Sequence, residues 1–213
     1  MEEQIMNMPA VALRGLTILP GMIAHFDISR ERSLRAVEEA MEQDQKIYLV
    51  TQRNVDSEDP TQEDLYQMGI VADIKQVVRL QNDVVRILVD GISRAALLGF
   101  TGNEKYLEAE ICYCDSNADS LPEDLREAML LGVREAFHRY AAVVGKISKE
   151  LIRQIDQYED LEKLIDYVTN NLPVSYELKQ QVLEAEDIND RYQVIVSLLL
   201  SQVEVISIKN ELQ

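Results

Sequence analysis

The hydrophobic pattern of this chain changes once, near residue 115, and that change constrains the fold more than any other feature. Before it, apolar residues form short runs or alternate with polar ones, and turn residues such as Pro20-Gly21 and Gln81-Asn82-Asp83 separate the runs. After it, apolar residues recur at steps of three and four. Alternation is typical of half-buried strands, and the longer period is typical of amphipathic helices. The sequence therefore predicts an α+β protein, strand-rich first and helical second.

The first part, residues 1–115, is predicted to form a β-rich domain with one inserted helix. The short apolar segment Ala10–Leu13 opens it, and Gly91 is expected to separate two of the later strands. Ser29 is a candidate N-cap for a helix to about Gln43, with Met41 on its apolar face. About six strands are predicted, over 22–28, 46–51, 70–80, 84–89, 92–100 and 106–114. This number of short strands indicates a small barrel or a folded sheet.

The second part, residues 120–213, is predicted to be a helical bundle. The polar linker 115–119 precedes it, and Ser120-Leu121-Pro122-Glu123 has the pattern of a capping box. Gly145 and Pro173 interrupt the helical periodicity, and Asp187 can cap a final long helix. That last helix reaches Gln213 without a stop signal, so we expect the sequence to end within a helix. Helices are predicted to about residue 144, from 149, over 159–171 and 176–184, and from 188 onward.

The charge of the chain restricts the classes of partner. The formal net charge is −17, and the excess of acidic side chains is spread evenly over both halves. An evenly acidic surface repels phosphate, so non-specific binding to nucleic acid and to anionic membranes is disfavoured. No signal peptide opens the chain, and its uninterrupted apolar runs fall far short of the roughly 18 residues of a membrane span. With Cys112 and Cys114 expected to be reduced thiols, the sequence predicts a cytoplasmic protein.

The motifs that carry chemistry are incomplete in this sequence. Gly145-Lys146 lacks both the first glycine and the Ser/Thr of a phosphate-binding loop. Glu135 and His138 have the spacing of a di-iron helix, but the second copy that such a site needs is missing. His25 has no serine or cysteine at a recognisable nucleophile turn, and two cysteines alone cannot complete a zinc site. We therefore expect no catalytic residue, no metal and no cofactor in this segment.

Three arginines, Arg30, Arg32 and Arg35, cluster at the start of the first predicted helix. Cations near a helix N-terminus are mildly unfavourable. A cluster that is tolerated there in an acidic chain is a candidate contact for a partner or substrate. The alternative is that the three arginines form ion pairs with acidic side chains on the same helix, namely Glu31, Glu38 and Glu39.

The order of several segments resembles one family. The run Ala10–Met22 resembles the opening strand and Pro-Gly turn of the amino-terminal domain of Lon-type ATP-dependent proteases. Arg30-Glu31-Arg32-Ser33-Leu34 is similar to that family's Arg-Glu-Lys-Ser helix start. Ala24-His25, where the family has a proline, and Ser93, where Gln is common, depart from the pattern but touch no reactive centre. Further segments follow in the family's order at 46–52, 64–72, 89–95, 171–173, 179–183 and 190–192.

The resemblance implies a PUA-like pseudo-barrel joined to a helical bundle that leads into a long helix. In the family an ATPase module and a Ser-Lys protease module follow, and neither is present in these residues. The resemblance therefore implies a non-catalytic segment, with ATP and Mg²⁺ expected only in the missing module. It also implies binding of unfolded, damaged or degron-bearing proteins, and self-association as a dimer or larger assembly, a hexamer in the parent protein.

Three other functions stay open from the sequence. A free-standing adaptor with the same fold would bind one folded partner. An RNA-binding barrel is disfavoured by the net charge of −17. A hydrolase that uses two carboxylates is the enzyme alternative, although adjacent acidic pairs such as Glu38-Glu39 diverge on a helix and favour a solvated face.

Overall fold

The computed structural model describes residues 5–213 and divides the chain into two compact units. The first unit, called the strand unit here, ends at Cys114, and the second, the helical unit, is Asp115–Gln213. The strand unit contains a 12-residue helix, α1 (Glu31–Glu42), and a 3₁₀ turn at Gln62–Asp64. Its six strands are β1 (Ile5–Leu13), β2 (Ile23–Ile28), β3 (Lys46–Thr51), β4 (Met68–Arg79), β5 (Val85–Phe100) and β6 (Glu108–Tyr113).

The six strands form one sheet that curls back on itself. Their order is β2-β5-β4-β3-β1-β6, and β6 also pairs with β5, so five of the strands close into a ring. The β1–β3 pair is parallel and the other pairs are antiparallel. β2 extends from the ring beside the first half of β5, and the second half of β5 pairs with β6. This arrangement is the predicted pseudo-barrel, and the α+β class is confirmed.

Gly91 does not end a strand, contrary to the sequence prediction. β5 is one continuous strand of 16 residues. The register with β4 shifts beside Gly91, where Ile92 is an extra residue. A bulge of this kind bends a strand and increases its twist, which lets β5 serve two different partners along its length. Gly91 is required for close packing, because a Cβ built there would lie 2.4 Å from the carbonyl oxygen of Leu19.

Two hydrophobic clusters fill the strand unit. One lies between α1 and the sheet and includes Val37, Ile47 and Ile87. The other includes Tyr48, whose hydroxyl donates a 2.9 Å hydrogen bond to the carbonyl oxygen of Ala95. Both faces of β3 are therefore buried, as its run of apolar residues indicates.

The start of α1 differs from the prediction. Arg30, and not Ser29, occupies the N-cap position, and its side chain makes no capping bond. The Arg30 carbonyl oxygen accepts the first hydrogen bond of the helix, from the amide of Leu34 at 3.0 Å. Met41, expected on the buried face, is exposed. The guanidinium of Arg30 instead donates hydrogen bonds to Ala12 of β1 and to Gln52 and Glu58, which follow β3.

The helical unit contains five α-helices among its described residues. Ser148, Asp160, Ser175 and Asp187 each accept a capping bond from a backbone amide. Gly145 ends the first helix with a φ of 73°. The predicted capping box at Ser120 is wrong, because Ser120 belongs to a 3₁₀ turn and Pro122 occupies the N-cap. The helices are α2 (Glu123–Val144), α3 (Lys149–Gln157), α4 (Leu161–Asn170), α5 (Tyr176–Glu184) and α6 (Ile188–Glu211).

The long helix α6 passes the length and composition test for a membrane span, with a mean hydropathy of 1.3 in its best window. The uninterrupted apolar runs of the sequence had not indicated this. Its first half packs as a core helix does: Ile188, Ile195 and Leu199 are fully buried within the helical unit. Arg191, also in this half, is buried and bonded to Glu162 and to two backbone carbonyls. Only 17% of that window is buried, because the buried positions lie in the first half of the helix.

Candidate functional site

A cavity of about 330 Å³ opens at the N-terminal end of α1, and we call it the arginine cavity. β1, the start of α1, the loop after β3 and the segment before β6 contribute its walls. Its lining residues are Ala12, Arg30, Glu31, Arg32, Ser33, Glu58, Asp59, Pro60 and Leu107. The structure thus brings two of the three sequence-predicted arginines, Arg30 and Arg32, into one concave site.

Arg30 connects three segments that are distant in sequence. Its Nη2 donates hydrogen bonds to the carbonyl oxygen of Ala12 at 2.9 Å and to Oε1 of Gln52 at 3.2 Å. Its Nη1 donates to the carbonyl oxygen of Glu58 at 3.1 Å. Burial, followed by the nearby charge of Arg14, lowers the pKa of Arg30, and Asp59 acts in the opposite direction. Because its donors are engaged with the protein, Arg30 fixes the wall of the cavity.

Arg32 and Arg35 have different surroundings from Arg30. Arg32 Nη2 donates to the carbonyl oxygens of Asn103, at 3.0 Å, and Tyr106, at 3.3 Å, which ties α1 to the segment before β6. Arg35 is exposed outside the cavity and pairs with Glu31 at 2.6 Å. Of the ion pairs that the sequence offered as an alternative, the structure therefore shows one, between Arg35 and Glu31.

The sequence predicts a loop after β3, over residues 53–60, but the contribution of this loop to the site was missed. Gln52 is fully buried, and its Nε2 donates to the carbonyl oxygens of Asn54 and Ser57, both at 3.0 Å. Its Oε1 accepts from Arg30. A glutamine that directly follows an apolar strand was the available signal, because such a residue must satisfy its amide locally. The polar loop that it braces contributes Glu58 and Asp59 to the cavity.

The arginine cavity is lined by both apolar and charged groups. Ala12, Pro60 and Leu107 supply apolar surface, while carboxylates and guanidinium groups supply both signs of charge. Ser33 is the lining hydroxyl, and neither histidine nor cysteine lines the cavity. Across residues 5–213, no group of three or more His, Cys, Asp or Glu is arranged to hold a metal ion. Such a mixed surface can accept apolar and charged side chains of a polypeptide.

Comparison with known proteins shows the family to which this chain is similar. The model of the ATP-dependent protease La (LON) substrate-binding domain matches residues 7–201. The chain is 36% identical over 213 residues to Lon protease of Lachnoclostridium phytofermentans, covering 100% of this chain and 26% of that protein. It is 30% identical to Lon protease 1 of Bacillus subtilis, covering 99% of this chain and 27% of that protein. The chain thus spans about a quarter of the length of these curated relatives.

Solved structures show the same fold. The N-terminal domain of Mycobacterium avium complex Lon protease superposes with a TM-score of 0.73 at 18% identity, covering 91% of this chain and 98% of that one. The Lon N-terminal domain protein from Xanthomonas campestris gives a TM-score of 0.61 at 12% identity, covering 90% and 98%. From the family match and from the relatives that align along its whole length, this chain belongs to the Lon substrate-binding domain family.

Proposed function

We propose that this chain is the substrate-engaging amino-terminal region of a Lon-type protease, and that it binds unfolded, damaged or degron-bearing proteins in the cytoplasm. The match of the substrate-binding family model over residues 7–201 carries the proposal. ATP hydrolysis and Ser-Lys peptide-bond cleavage then belong to separate modules of the parent protein, and this segment is itself no enzyme. The segment also supports self-association, as a dimer or larger assembly.

The surface of the strand unit supports this proposal. Its exposed side chains include large apolar ones, with Ile5 at 53% and Ile23 at 69% exposure. Small exposed apolar areas next to charged groups bind an unfolded chain weakly, which allows the bound segment to be released and passed on. The arginine cavity adds a concave site of both charge signs, in which Arg32 is a proposed contact and Arg30 positions the wall. Arg35, on the exposed face of α1 outside the cavity, is the second proposed contact.

Binding of a matched pair of probes tests the proposal. Dye-labelled lysozyme, reduced and carbamidomethylated so that it stays unfolded, is titrated with the chain and followed by fluorescence anisotropy. Native labelled lysozyme has nearly the same charge and is the control for electrostatic attraction to an acidic chain. We expect saturable binding of the unfolded probe and none of the native one. Equal binding of both, or binding of neither, contradicts the proposed function.

The arginine contact is tested by charge reversal. Arg35→Glu is compared with Arg153→Glu, an exposed arginine of α3 that likewise pairs with a glutamate on its own helix. Arg32→Glu, which also removes the hydrogen bonds to Asn103 and Tyr106, is compared with the same control after circular dichroism shows that it is folded. All three variants change the net charge equally. We expect Arg32→Glu and Arg35→Glu to weaken binding of unfolded lysozyme about fivefold relative to Arg153→Glu, because they remove a contact worth about 1 kcal/mol. Equal affinities of all three variants remove the arginines from the site and leave the rest of the proposal intact.

Self-association is measured separately by multi-angle light scattering. We expect a mass above the 24.3 kDa of a single chain, rising with concentration. A mass that stays at 24.3 kDa at every concentration contradicts the assembly part of the proposal.

A further inference from the structure

β2 leaves one of its two backbone edges open. It pairs with β5 from Ile23 to Ile28, and no other strand among residues 5–213 pairs with it. The carbonyl oxygen of Met22 accepts a 2.9 Å hydrogen bond from Gly91 of β5. Since backbone groups alternate in direction along a strand, the N–H and C=O groups of Ile23, His25 and Asp27 are directed away from β5. These groups form a row of donors and acceptors on the outer edge.

The open edge of β2 carries few of the features that usually protect an edge strand, and its one acidic side chain, Asp27, is paired with Arg86 of β5. Its sequence, Ile-Ala-His-Phe-Asp-Ile, contains no proline and no lysine. Its register with β5 runs without a bulge over all six residues. Ile23, at 69% exposure, presents a large apolar side chain there. An edge of this kind is a template for pairing with another extended chain.

Another strand of the same sheet, β1, has an edge group that is hydrogen-bonded by a side chain. On β1, the carbonyl oxygen of Leu13 accepts a hydrogen bond from the backbone amide of Gln52. The carbonyl oxygen of the preceding residue, Ala12, therefore points to the opposite side of the strand. Arg30 donates to this Ala12 oxygen at 2.9 Å and takes the place of a missing strand. On the open edge of β2, no such side chain is bonded to the backbone of Ile23, His25 or Asp27 within the described part of the chain.

Open space lies at the Phe26–Ile28 end of this edge. A cavity of about 240 Å³ lies between the second half of β1 and the end of β2, lined by residues 11–14 on one side and 26–30 on the other. On the outer face of the sheet, His25 is opposite Leu88 and Asp27 is opposite Arg86. An added strand would therefore place alternate side chains beside an apolar and charged surface.

We propose that β2 binds an extended segment of an unfolded polypeptide as an additional strand, and that the preferred segment alternates apolar and polar residues. Backbone pairing explains how one site accepts many sequences, because every peptide carries the same amide groups. An alternating segment is preferred because exposed and buried residues alternate along β2, so that its two faces differ. This inference rests on the proposed function and specifies how substrate is held.

Three dye-labelled peptides of about eight residues test the pairing, a length that spans the six residues of β2. The first alternates valine and lysine. The second has the same composition with all valines before all lysines, so its charge is matched and its alternation is lost. The third is the alternating peptide with N-methylated backbone amides, which cannot donate hydrogen bonds. We expect the second and third to bind about tenfold more weakly than the first by anisotropy.

Two substitutions at one position locate the paired edge. His25→Pro removes the outward amide hydrogen, while His25→Ala removes the same side chain and keeps that hydrogen. We expect His25→Ala to bind the alternating peptide as the parent chain does and His25→Pro to bind it about tenfold more weakly. Circular dichroism checks that each variant is folded, and if the proline variant is not, the N-methylated peptide decides.

The outcomes separate this inference from the proposed function. Equal affinity for the alternating and the N-methylated peptide overturns strand addition, as does equal affinity of the two folded His25 variants. If unfolded lysozyme binds but the alternating peptide does not, the proposed function stands and this inference fails. If neither binds, the proposed function fails as well.

Discussion

The two units of this chain are held together by contacts of different range. In the strand unit, β1 pairs with β3 and β6, which lie about 40 and 100 residues away along the chain. In the helical unit, side chains next to each helix start cap it, as Ser148, Asp160 and Ser175 do. Local capping makes helix positions predictable, whereas distant pairing brings together groups that no local pattern connects. The arginine cavity and the open edge of β2 both lie in the unit of distant pairing.

The largest expected effect comes from adding one methyl group where backbones meet in the strand unit. In Gly91→Ala the new Cβ meets the carbonyl oxygen of Leu19 at 2.4 Å and Cδ1 of Ile70 at 2.9 Å. Because backbone of a closed sheet cannot move aside, we expect the free energy of unfolding of this unit to fall by about 3 kcal/mol. Hydrogen exchange of peptides from β4 and β5 during denaturant titration measures the change.

The matched change in the helical unit is Gly132→Ala. Its Cβ meets the hydroxyl and ring of Tyr192, the far end of a half-buried side chain that can rotate away. Alanine also favours the helix by about 1 kcal/mol over glycine, which offsets the displacement. We therefore expect a change within about 1 kcal/mol. If the free energy of unfolding fell as much as it does in Gly91→Ala, the surroundings of Gly132 would be as unable to move aside as those of Gly91.

The next effect tests the distant contact in the helical unit. Arg191 is 2% exposed and donates to the carbonyl oxygens of Ala185 and Glu186 and to Oε1 of Glu162, at 2.9, 3.0 and 3.2 Å. Arg191→Leu leaves the two carbonyls without this donor, so we expect a loss of about 2 kcal/mol in unfolding free energy. Arg191→Lys should recover part of it, because lysine keeps the charge but not the planar fork.

If Arg191→Leu unfolds at the same denaturant concentration as the parent chain, the helical unit depends on capping and apolar packing alone. In that case the helical unit would depend on local contacts even more than we propose.

The difference between local and distant contacts also explains which elements could be predicted from the sequence. Lys46–Thr51, Tyr176–Glu184 and the cap at Asp187 were located correctly, because their apolar runs and capping residues are adjacent in sequence. The continuous strand through Gly91 was missed, since its bulge depends on Leu19 and β4, which only the folded sheet brings near.

The candidate site, too, was predicted only in part from the sequence. The sequence identified Arg30, Arg32 and Arg35 from their unusual position at a helix start. It could not show that Arg30 replaces a strand partner for Ala12, because 18 residues separate them. Nor could it identify β2 as an open edge, because strand order follows from the way the whole sheet closes.

A smaller, pH-dependent effect is expected at the start of α6. Hydrogen bonds from the amide of Asn189 and the side chain of Asn117 lower the pKa of the Asp187 carboxyl. A lowered pKa means that Asp187 stabilises the fold above its unfolded pKa of about 3.9 and that this contribution is lost as the pH falls through the folded pKa. Asp187→Ala should therefore lower the thermal midpoint at pH 7, and its difference from the parent chain should shrink below about pH 4.

Thermal melts of the two proteins at several pH values, followed by circular dichroism at the helix band, make this measurement. A difference that is constant from pH 7 to pH 3 would mean that the cap acts without its charge.

The smallest expected effect on stability is at Arg35. Its pair with Glu31 is exposed on both sides and spans one helical turn. Such pairs contribute about 0.5 kcal/mol or less, so Arg35→Gln should leave the unfolding midpoint nearly unchanged. Arg153→Gln, which breaks an equivalent pair in the helical unit, should behave alike. A loss above about 1 kcal/mol at Arg35 alone would show that this arginine supports the fold of the strand unit.

The central claim is that the strand unit is where an unfolded polypeptide is held. Hydrogen exchange of the whole chain by mass spectrometry, with and without saturating unfolded lysozyme, tests it most directly. The account predicts slower exchange in peptides that cover β2 and the start of α1, with unchanged exchange in α3, α4 and α5. Protection confined to the helical unit, or none in β2 and α1 under saturating probe, would contradict it.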